Sequence, residues 1–225
     1  MSTLNDYFKD WIRYLDIKEL HKVMTSLDIE YKVKKISPAK GDVFKAFNLC
    51  EYKDLKVIII GQDPYPQANI ATGVMFGNRT EPLSPSLKVL KESLINPEMP
   101  DYKSYYIDIT LESWLKQGVL LLNSALTVEE NKVGTHTMLW RNFIATFIKN
   151  VSEVNPGLIF VLLGNQAKTF KPYIHKNCHV LIEQHPAYYV RINRKMPNTV
   201  FKEVNRILKS SNNFKINWYE VDDRE

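Results

Sequence analysis

The chain has 225 residues, 44% of them apolar and 24% charged, which is the make-up of an ordinary folded domain with enough apolar surface for a substantial core. Disordered, collagen-like and coiled-coil classes are thereby excluded, and no run approaches the roughly 18 to 20 apolar residues that span a bilayer. The formal charge of +5 suits a polyanionic partner, while the two cysteines, Cys50 and Cys178, are too few for a disulfide framework or an iron–sulfur cluster. Met1 to Lys9 lacks the charged-then-apolar pattern of a secretory leader, so the expectation is a soluble intracellular protein with reduced thiols.

In chain order, residues 4–15 and 17–27 carry helical periodicity and 42–47 a short third helix, together an N-terminal helical layer. Residues 56–60 read as a buried strand that runs into Gly61-Gln62-Asp63-Pro64-Tyr65-Pro66. Residues 84–95 are helical, with Ser84 as cap and Pro85 in the first turn. A second strand, 119–122, leads into Asn123-Ser124. Residues 138–151 form a helix stopped by Asn155-Pro156-Gly157. A third strand, 158–163, leads into Gly164-Asn165-Gln166 and a fourth, 179–183, into Gln184-His185-Pro186. After Ser210 the chain turns polar, regains Ile216 and Trp218, and ends in Asp222-Asp223-Arg224-Glu225, which reads as frayed.

Strands alternating with crossover-length helical stretches predict an α/β fold: three layers, α/β/α, around a central four-stranded parallel sheet, with the N-terminal helical segment packed over it. No repeat, low-complexity segment or Gly/Ser linker divides the chain, so a single domain over residues 1–225 is expected. Ligands of open parallel sheets bind beyond the carboxyl ends of the strands. A carboxylate (Asp63), a carboxamide (Asn123) and an imidazole (His185) are thus predicted to converge on one rim.

Taken alone, Gly-Gln-Asp-Pro-Tyr is also a good turn, since Asp-Pro starts turns and glycine relieves backbone strain. Five specified residues in a row are nevertheless rare by chance. The segment resembles the water-activating motif Gly-Gln-Asp-Pro-Tyr-His of the uracil-DNA glycosylases of the classical, metal-free family, with Pro66 in place of the histidine. The resemblance covers most of the chain. It extends to 40–47, to Leu83-Ser84-Pro85-Ser86-Leu87, to Glu112-Ser113-Trp114 with 117–123 and Leu126-Thr127-Val128, and to Ile216-Asn217-Trp218.

The resemblance implies a monofunctional hydrolase of N-glycosyl bonds that releases uracil from DNA and leaves an abasic site, in base excision repair. By the same resemblance Asp63 positions the attacking water and stabilises positive charge on the sugar. His185, matching the histidine of the family's His-Pro-Ser-Pro-Leu loop, stabilises the uracil anion, with Gln62 and Asp63 amides as further donors to O2. Asn123 reads the uracil edge, because one carboxamide can accept from N3–H and donate to O4 together. Phe76 stacks on the base and Tyr65 stands where a thymine methyl would clash. Ser84, Pro85, Ser86, His136, Ala187, Tyr189 and Arg191 are implied to face DNA. His136 matches the second histidine of a His-Ser-His segment whose first is Gly134 here. Arg191, Arg194 and Lys195 neutralise phosphates or are simply a solvated charged face.

The last loop reads His185-Pro186-Ala187-Tyr188-Tyr189, so the family's serine is Ala187 and its DNA-penetrating leucine is Tyr189. Tyr189 either fills the space of a flipped base or packs on its own loop. His175, Cys178 and His179 are the one local cluster of metal-ligand types and lack an evident fourth ligand, so no metal and no cofactor are expected; P-loop and dinucleotide fingerprints are absent. Partners implied are uracil-containing single- and double-stranded DNA and a DNA-mimicking protein inhibitor, with no membrane, for a monomer in the cytoplasm or whichever host compartment holds DNA. Two other readings stand beside this one: a DNA-binding protein that has lost turnover, and a glycosylase with another base preference, because Pro66 and Ala187 border the site.

Overall fold

The computed structural model describes residues 4–95 and 99–221. A helical layer opens the chain: α1 (Leu4–Phe8) passes into a 3-10 turn (Lys9–Tyr14), then α2 (Ile17–Val33) and, after a short strand β1 (Ile36–Ser37), α3 (Lys45–Leu49). The first predicted helix is therefore broken near Lys9, whose φ is +49°. The second runs past its predicted end. Its apolar stripe runs on from buried Leu27 to half-buried Tyr31, whose hydroxyl donates to the Pro38 carbonyl at 2.8 Å, and the last turn is further held by the Lys34–Glu30 pair at 2.8 Å.

The sheet strands are β2 (Val57–Gly61), β4 (Val119–Asn123), β6 (Ile159–Leu163) and β7 (His179–Glu183), all parallel and in the order β4-β2-β6-β7. Their β-branched and leucine runs are buried along all of β2, β4 and β6, as a sheet covered on both faces requires, while β7 is a half-exposed edge. Between them lie α4 (Pro85–Leu94), the small strand β3 (Tyr105–Tyr106), α5 (Glu112–Leu115), β5 (Val128–Glu129), α6 (Thr137–Val154) and α7 (Gly164–Lys168). After β7 come α8 (Pro186–Arg191), α9 (Thr199–Ser210) and β8 (Glu220–Val221).

The predicted three-layer α/β/α architecture is the observed one, with strand bounds within one residue. The short pairings β1 with β5 and β3 with β8 and the amphipathic α9 were not foreseen. One continuous core links both ends of the described chain. Trp11 donates to the carbonyl of Cys50 at 2.8 Å, and Trp218 packs edge-on against Trp114 with ring centroids 4.8 Å apart. The acidic end, 222–225, lies outside the described residues. Among those residues, no helix is long and apolar enough to cross a membrane.

Candidate active site

Strand register decides what meets at the carboxyl rim. Gly61 is the Cα partner of Asn123, so the turn after β2 lies against the end of β4. The Gln62 carbonyl accepts from Ser124 Oγ at 2.8 Å and from the Ala125 amide at 3.1 Å, which fastens that turn in place. A side chain at Gly61 would meet Met75 Sδ at 2.5 Å and crowd the Asn123 carboxamide at 3.2 Å, so glycine keeps that carboxamide in place.

A cavity of about 200 Å³ opens beyond these strand ends, walled in part by Gln62, Asp63, Tyr65, Phe76, Asn123 and His185. Asp63 Oδ2 accepts from the Gly134 amide at 2.6 Å. Its Oδ1 is buried without a hydrogen-bond partner among the described residues. Burial pushes the Asp63 pKa above the ordinary carboxylate value, against the opposing pull of the Gly134 amide, the Gln62 side chain and His136.

Tyr65 donates to the Phe76 carbonyl at 3.1 Å, and burial raises its pKa. Phe76 is itself buried at φ +63°, a left-handed conformation unusual for an aromatic residue and of a kind that concentrates at functional sites. Its ring lies 5.3 Å from that of His185. His185 caps α8, its Nδ1 accepting from the Ala187 amide at 3.2 Å. Burial, and then the charge of Arg191, lower its pKa from 6.5 to about 4. Behind His185, Gly164 sits at φ +87°, and a Cβ there would come within 2.9 Å of His185 Cβ.

The cavity also reaches Ser86 of α4 and Ala187 of α8, two helices that pack together. Ser84 caps α4, accepting from the Leu87 amide at 3.4 Å, with Pro85 in its first turn. Tyr189 is half-buried, and its hydroxyl donates to Glu183 Oε1 at 2.8 Å. Tyr188 is the more open ring of the two, at 37% exposure, edge-on to Tyr189 at 5.3 Å. Arg191, Arg194 and Lys195 are exposed.

One expectation is corrected. His136 does not face DNA: it is only 3% exposed, with Nδ1 against Thr127 Oγ1 at 2.7 Å and Nε2 against Glu30 Oε2 at 3.2 Å. The Gly164-Asn165-Gln166 segment contributes no wall to the cavity, since α7 begins at once and turns Asn165 and Gln166 to solvent. The Gly134 amide was missed, and a backbone donor leaves no side-chain signal; Gly134 at φ +84° in Gly134-Thr135 is the one hint.

Near the suspected ligand cluster, His175 Nδ1 accepts from the Asn177 amide and the Cys178 thiol lies against the Ser152 and Asn155 carbonyls. Among the described residues, no group of three or more His, Cys, Asp or Glu could hold a metal ion.

Residues 47–209 match the family model described as the uracil DNA glycosylase superfamily. The uracil-DNA glycosylase of Fusobacterium nucleatum is 34% identical over 232 residues, covering all of both chains. That of Mycoplasmopsis pulmonis is 38% identical over 195 residues, covering 85% of this chain and 86% of its own. The crystal structure of mimivirus uracil-DNA glycosylase superposes with a TM-score of 0.72 at 25% identity, covering 96% of this chain and 91% of the mimivirus chain. The Y322L variant of the mimivirus enzyme, in complex with UGI, also gives 0.72, at 24% identity and covering 96% and 93%, and supports the fold. With the model spanning most of the chain and one relative aligned end to end, the chain belongs to the uracil-DNA glycosylase superfamily.

Proposed function

We propose that this member of the family hydrolyses the bond between C1′ and N1 of deoxyuridine in DNA, releasing uracil and leaving an abasic site. The observation that carries the reading is one cavity holding a carboxylate with a buried free oxygen, Asp63 Oδ1, and an imidazole whose tautomer is set for donation, His185. Cleavage builds positive charge on the sugar and negative charge on the departing base. Asp63, tied by Oδ2 to Gly134, offers Oδ1 to a water and its negative charge to the sugar. With Nδ1 occupied as an acceptor, a neutral His185 carries its proton on Nε2 and donates it as a hydrogen bond to uracil O2. A preorganised donor of this kind is commonly worth roughly 3 to 4 kcal/mol of barrier.

Asn123 reads the N3–H and O4 edge, Phe76 stacks on the base, and Tyr65 blocks a methyl at C5. Ser84 and Ser86, flanking Pro85, and the basic Arg191 meet phosphates. Ala187 and Tyr189 border the entry. Single- and double-stranded DNA are both substrates of this monomeric, single-domain enzyme, acting wherever its host keeps DNA, and a DNA-mimicking inhibitor competes for the same mouth. All proposed stabilisers are protein groups. The test is release of free uracil from single-stranded and duplex oligonucleotides with EDTA present. Release that persists supports the reading; a protein that releases no uracil, or only with added zinc, overturns it.

A further inference from the structure

Asp63 is held by a turn that buries few side chains of its own. Between Glu129 and His136 the side chains are exposed or half-buried, Val133 at 63%, and His136 is the buried one. The turn is closed by backbone bonds from Glu130 N–H to the Lys35 carbonyl at 2.9 Å, Asn131 N–H to the Pro66 carbonyl at 2.9 Å and Thr137 N–H to the Gly134 carbonyl at 3.2 Å, and by Glu129 N–H donating to the Thr135 side chain at 3.0 Å. Gly134, two residues before His136, presents its N–H to Asp63.

The wiring of His136 follows from donor counting. The Glu30 carboxylate can only accept, so it faces a protonated Nε2, and Thr127 Oγ1, which accepts from the Trp140 indole at 2.8 Å, turns its own hydrogen to Nδ1 of the neutral ring. A neutral His136 then carries its proton on Nε2 and donates it to Glu30. Glu30 belongs to α2, 106 residues away in sequence, and its carboxylate is further gripped by Lys34 at 2.8 Å. Thr127 and Trp140 are fully buried. The N-terminal helical layer thus reaches the turn that holds Asp63 through a buried imidazole, beside the Glu130 N–H to Lys35 carbonyl bond at 2.9 Å and the β1–β5 pairing.

We infer that Glu30 and His136 are positioning residues for Asp63: they fix the turn that aims the Gly134 amide at the Asp63 carboxylate, without touching substrate themselves. This rests on the role given to Asp63 above. A carboxylate turned by a fraction of an ångström misplaces the attacking water, and misplacement of about 1 Å can cost on the order of a hundredfold in rate.

The test uses the full chain and single-stranded uracil-containing DNA, which needs no flipping from a duplex. His136→Leu is expected to lower the single-turnover rate at saturating DNA roughly tenfold to a hundredfold while leaving half-saturation within about twofold. His136→Gln, which can both accept from Thr127 and donate to Glu30, is expected to restore most of that loss. Glu30→Ala, at a partly exposed helix position, is expected to show a smaller loss in the same direction and guards against a misfolded His136 variant. In an Asp63→Asn background, His136→Leu should change nothing further, because the effect acts through Asp63.

Nuclear magnetic resonance of the free protein supplies an independent readout. The Gly134 amide proton, in a short bond to a carboxylate, should resonate downfield and move upfield in His136→Leu. Wild-type rate with an unmoved Gly134 resonance, or an equal rate loss with Asp63 already removed, overturns the inference. A wild-type protein that releases no uracil sinks the functional reading instead, and the Gly134 resonance still decides the positioning question.

Discussion

The amide of Ala187 donates to Nδ1 of His185 at 3.2 Å, and this contact turns a titratable ring into a fixed donor. Burial and Arg191 lower its pKa to about 4, so at neutral pH the ring is uncharged and Nε2 keeps its hydrogen. In its proposed role Asp63 must be ionised, and burial moves its titration upward from the ordinary 3.8. The acid limb of the single-turnover rate therefore belongs to Asp63. The rate should stay level as pH falls through 6.5, where an ordinary histidine titrates, and drop only in the carboxylate range. His185→Gln should lower the plateau at least about tenfold and leave the midpoint unmoved. A limb near 6.5 that vanishes in His185→Gln would show that His185 works as a cation.

The same shift has a stability counterpart. Between about pH 6.5 and 4 the unfolded chain protonates His185 and the folded one does not, so stability declines as pH falls through that window. The size is on the order of 3 kcal/mol, from about 1.4 kcal/mol for each pH unit of displacement. Urea unfolding at pH 7 and pH 4 checks it: His185→Gln should lose less stability on acidification than the wild type. Equal losses would mean that His185 is not buried as a neutral ring.

Gly164 sets the space behind that ring. At φ +87° an alanine costs roughly 1 to 2 kcal/mol in backbone strain, and its Cβ would press on His185 from 2.9 Å. Gly164→Ala should therefore reduce both melting temperature and turnover, whereas Gly157→Ala, at φ +85° with nothing within 4 Å of the new Cβ, should reduce the melting temperature alone. Full activity in Gly164→Ala would mean that the position of His185 is not limiting.

Much of this could be read from the chain before any coordinates. Ile58-Ile59-Ile60, Leu120-Leu121-Leu122 and 159–163 are too apolar and too short for anything but buried strands, and a parallel sheet then brings Asp63, Asn123 and His185 to one rim. What stayed hidden depends on pairings between distant residues. His136 matched a family pattern and was assigned to the surface, but its partner Glu30 lies past the predicted end of its helix. The Gly134 amide carries no side chain to notice. Tyr189, expected in a loop, lies in α8, and its tether to Glu183 at the end of β7 could not be read from either residue alone.

Base selection is expected to fail in different ways at Asn123 and Tyr65. Asn123→Asp replaces the donor to O4 with an acceptor and should weaken uracil discrimination and admit cytosine. Tyr65→Ala opens the wall at C5 and should give measurable thymine release. Tyr65→Phe should stay selective, because the lost hydroxyl bonds to the Phe76 carbonyl and not to the base. Release of uracil, cytosine and thymine from matched oligonucleotides is the measurement. If Asn123→Asp and Tyr65→Ala both keep strict uracil selectivity, the pocket has been assigned to the wrong residues.

Tyr189 raises a question of balance. Flipping a base out of a duplex costs a few kcal/mol, less from a single strand, and a side chain that fills the gap offsets part of it. An aromatic ring on a neighbouring base is worth roughly 1 to 3 kcal/mol. In the free protein the Tyr189 hydroxyl is bonded to Glu183, and burial, followed by that bond, raises its pKa to about 12, so it remains a donor throughout the working pH range. A hydrogen bond to a charged partner contributes about 1.5 to 3 kcal/mol. The two terms are of similar size, so the ring rests on Glu183 without DNA and can exchange that bond for stacking at little net cost. Tyr189→Ala should slow excision from duplex DNA several-fold more than from single strands. Tyr189→Phe keeps the ring and loses the tether, so its duplex rate should match or exceed the wild type. Tyr188→Ala is the control, since Tyr188 is the more exposed ring. A duplex-specific loss in Tyr188→Ala with equal losses on both substrates in Tyr189→Ala would move the plug to Tyr188 and leave Tyr189 as the anchor of its own loop.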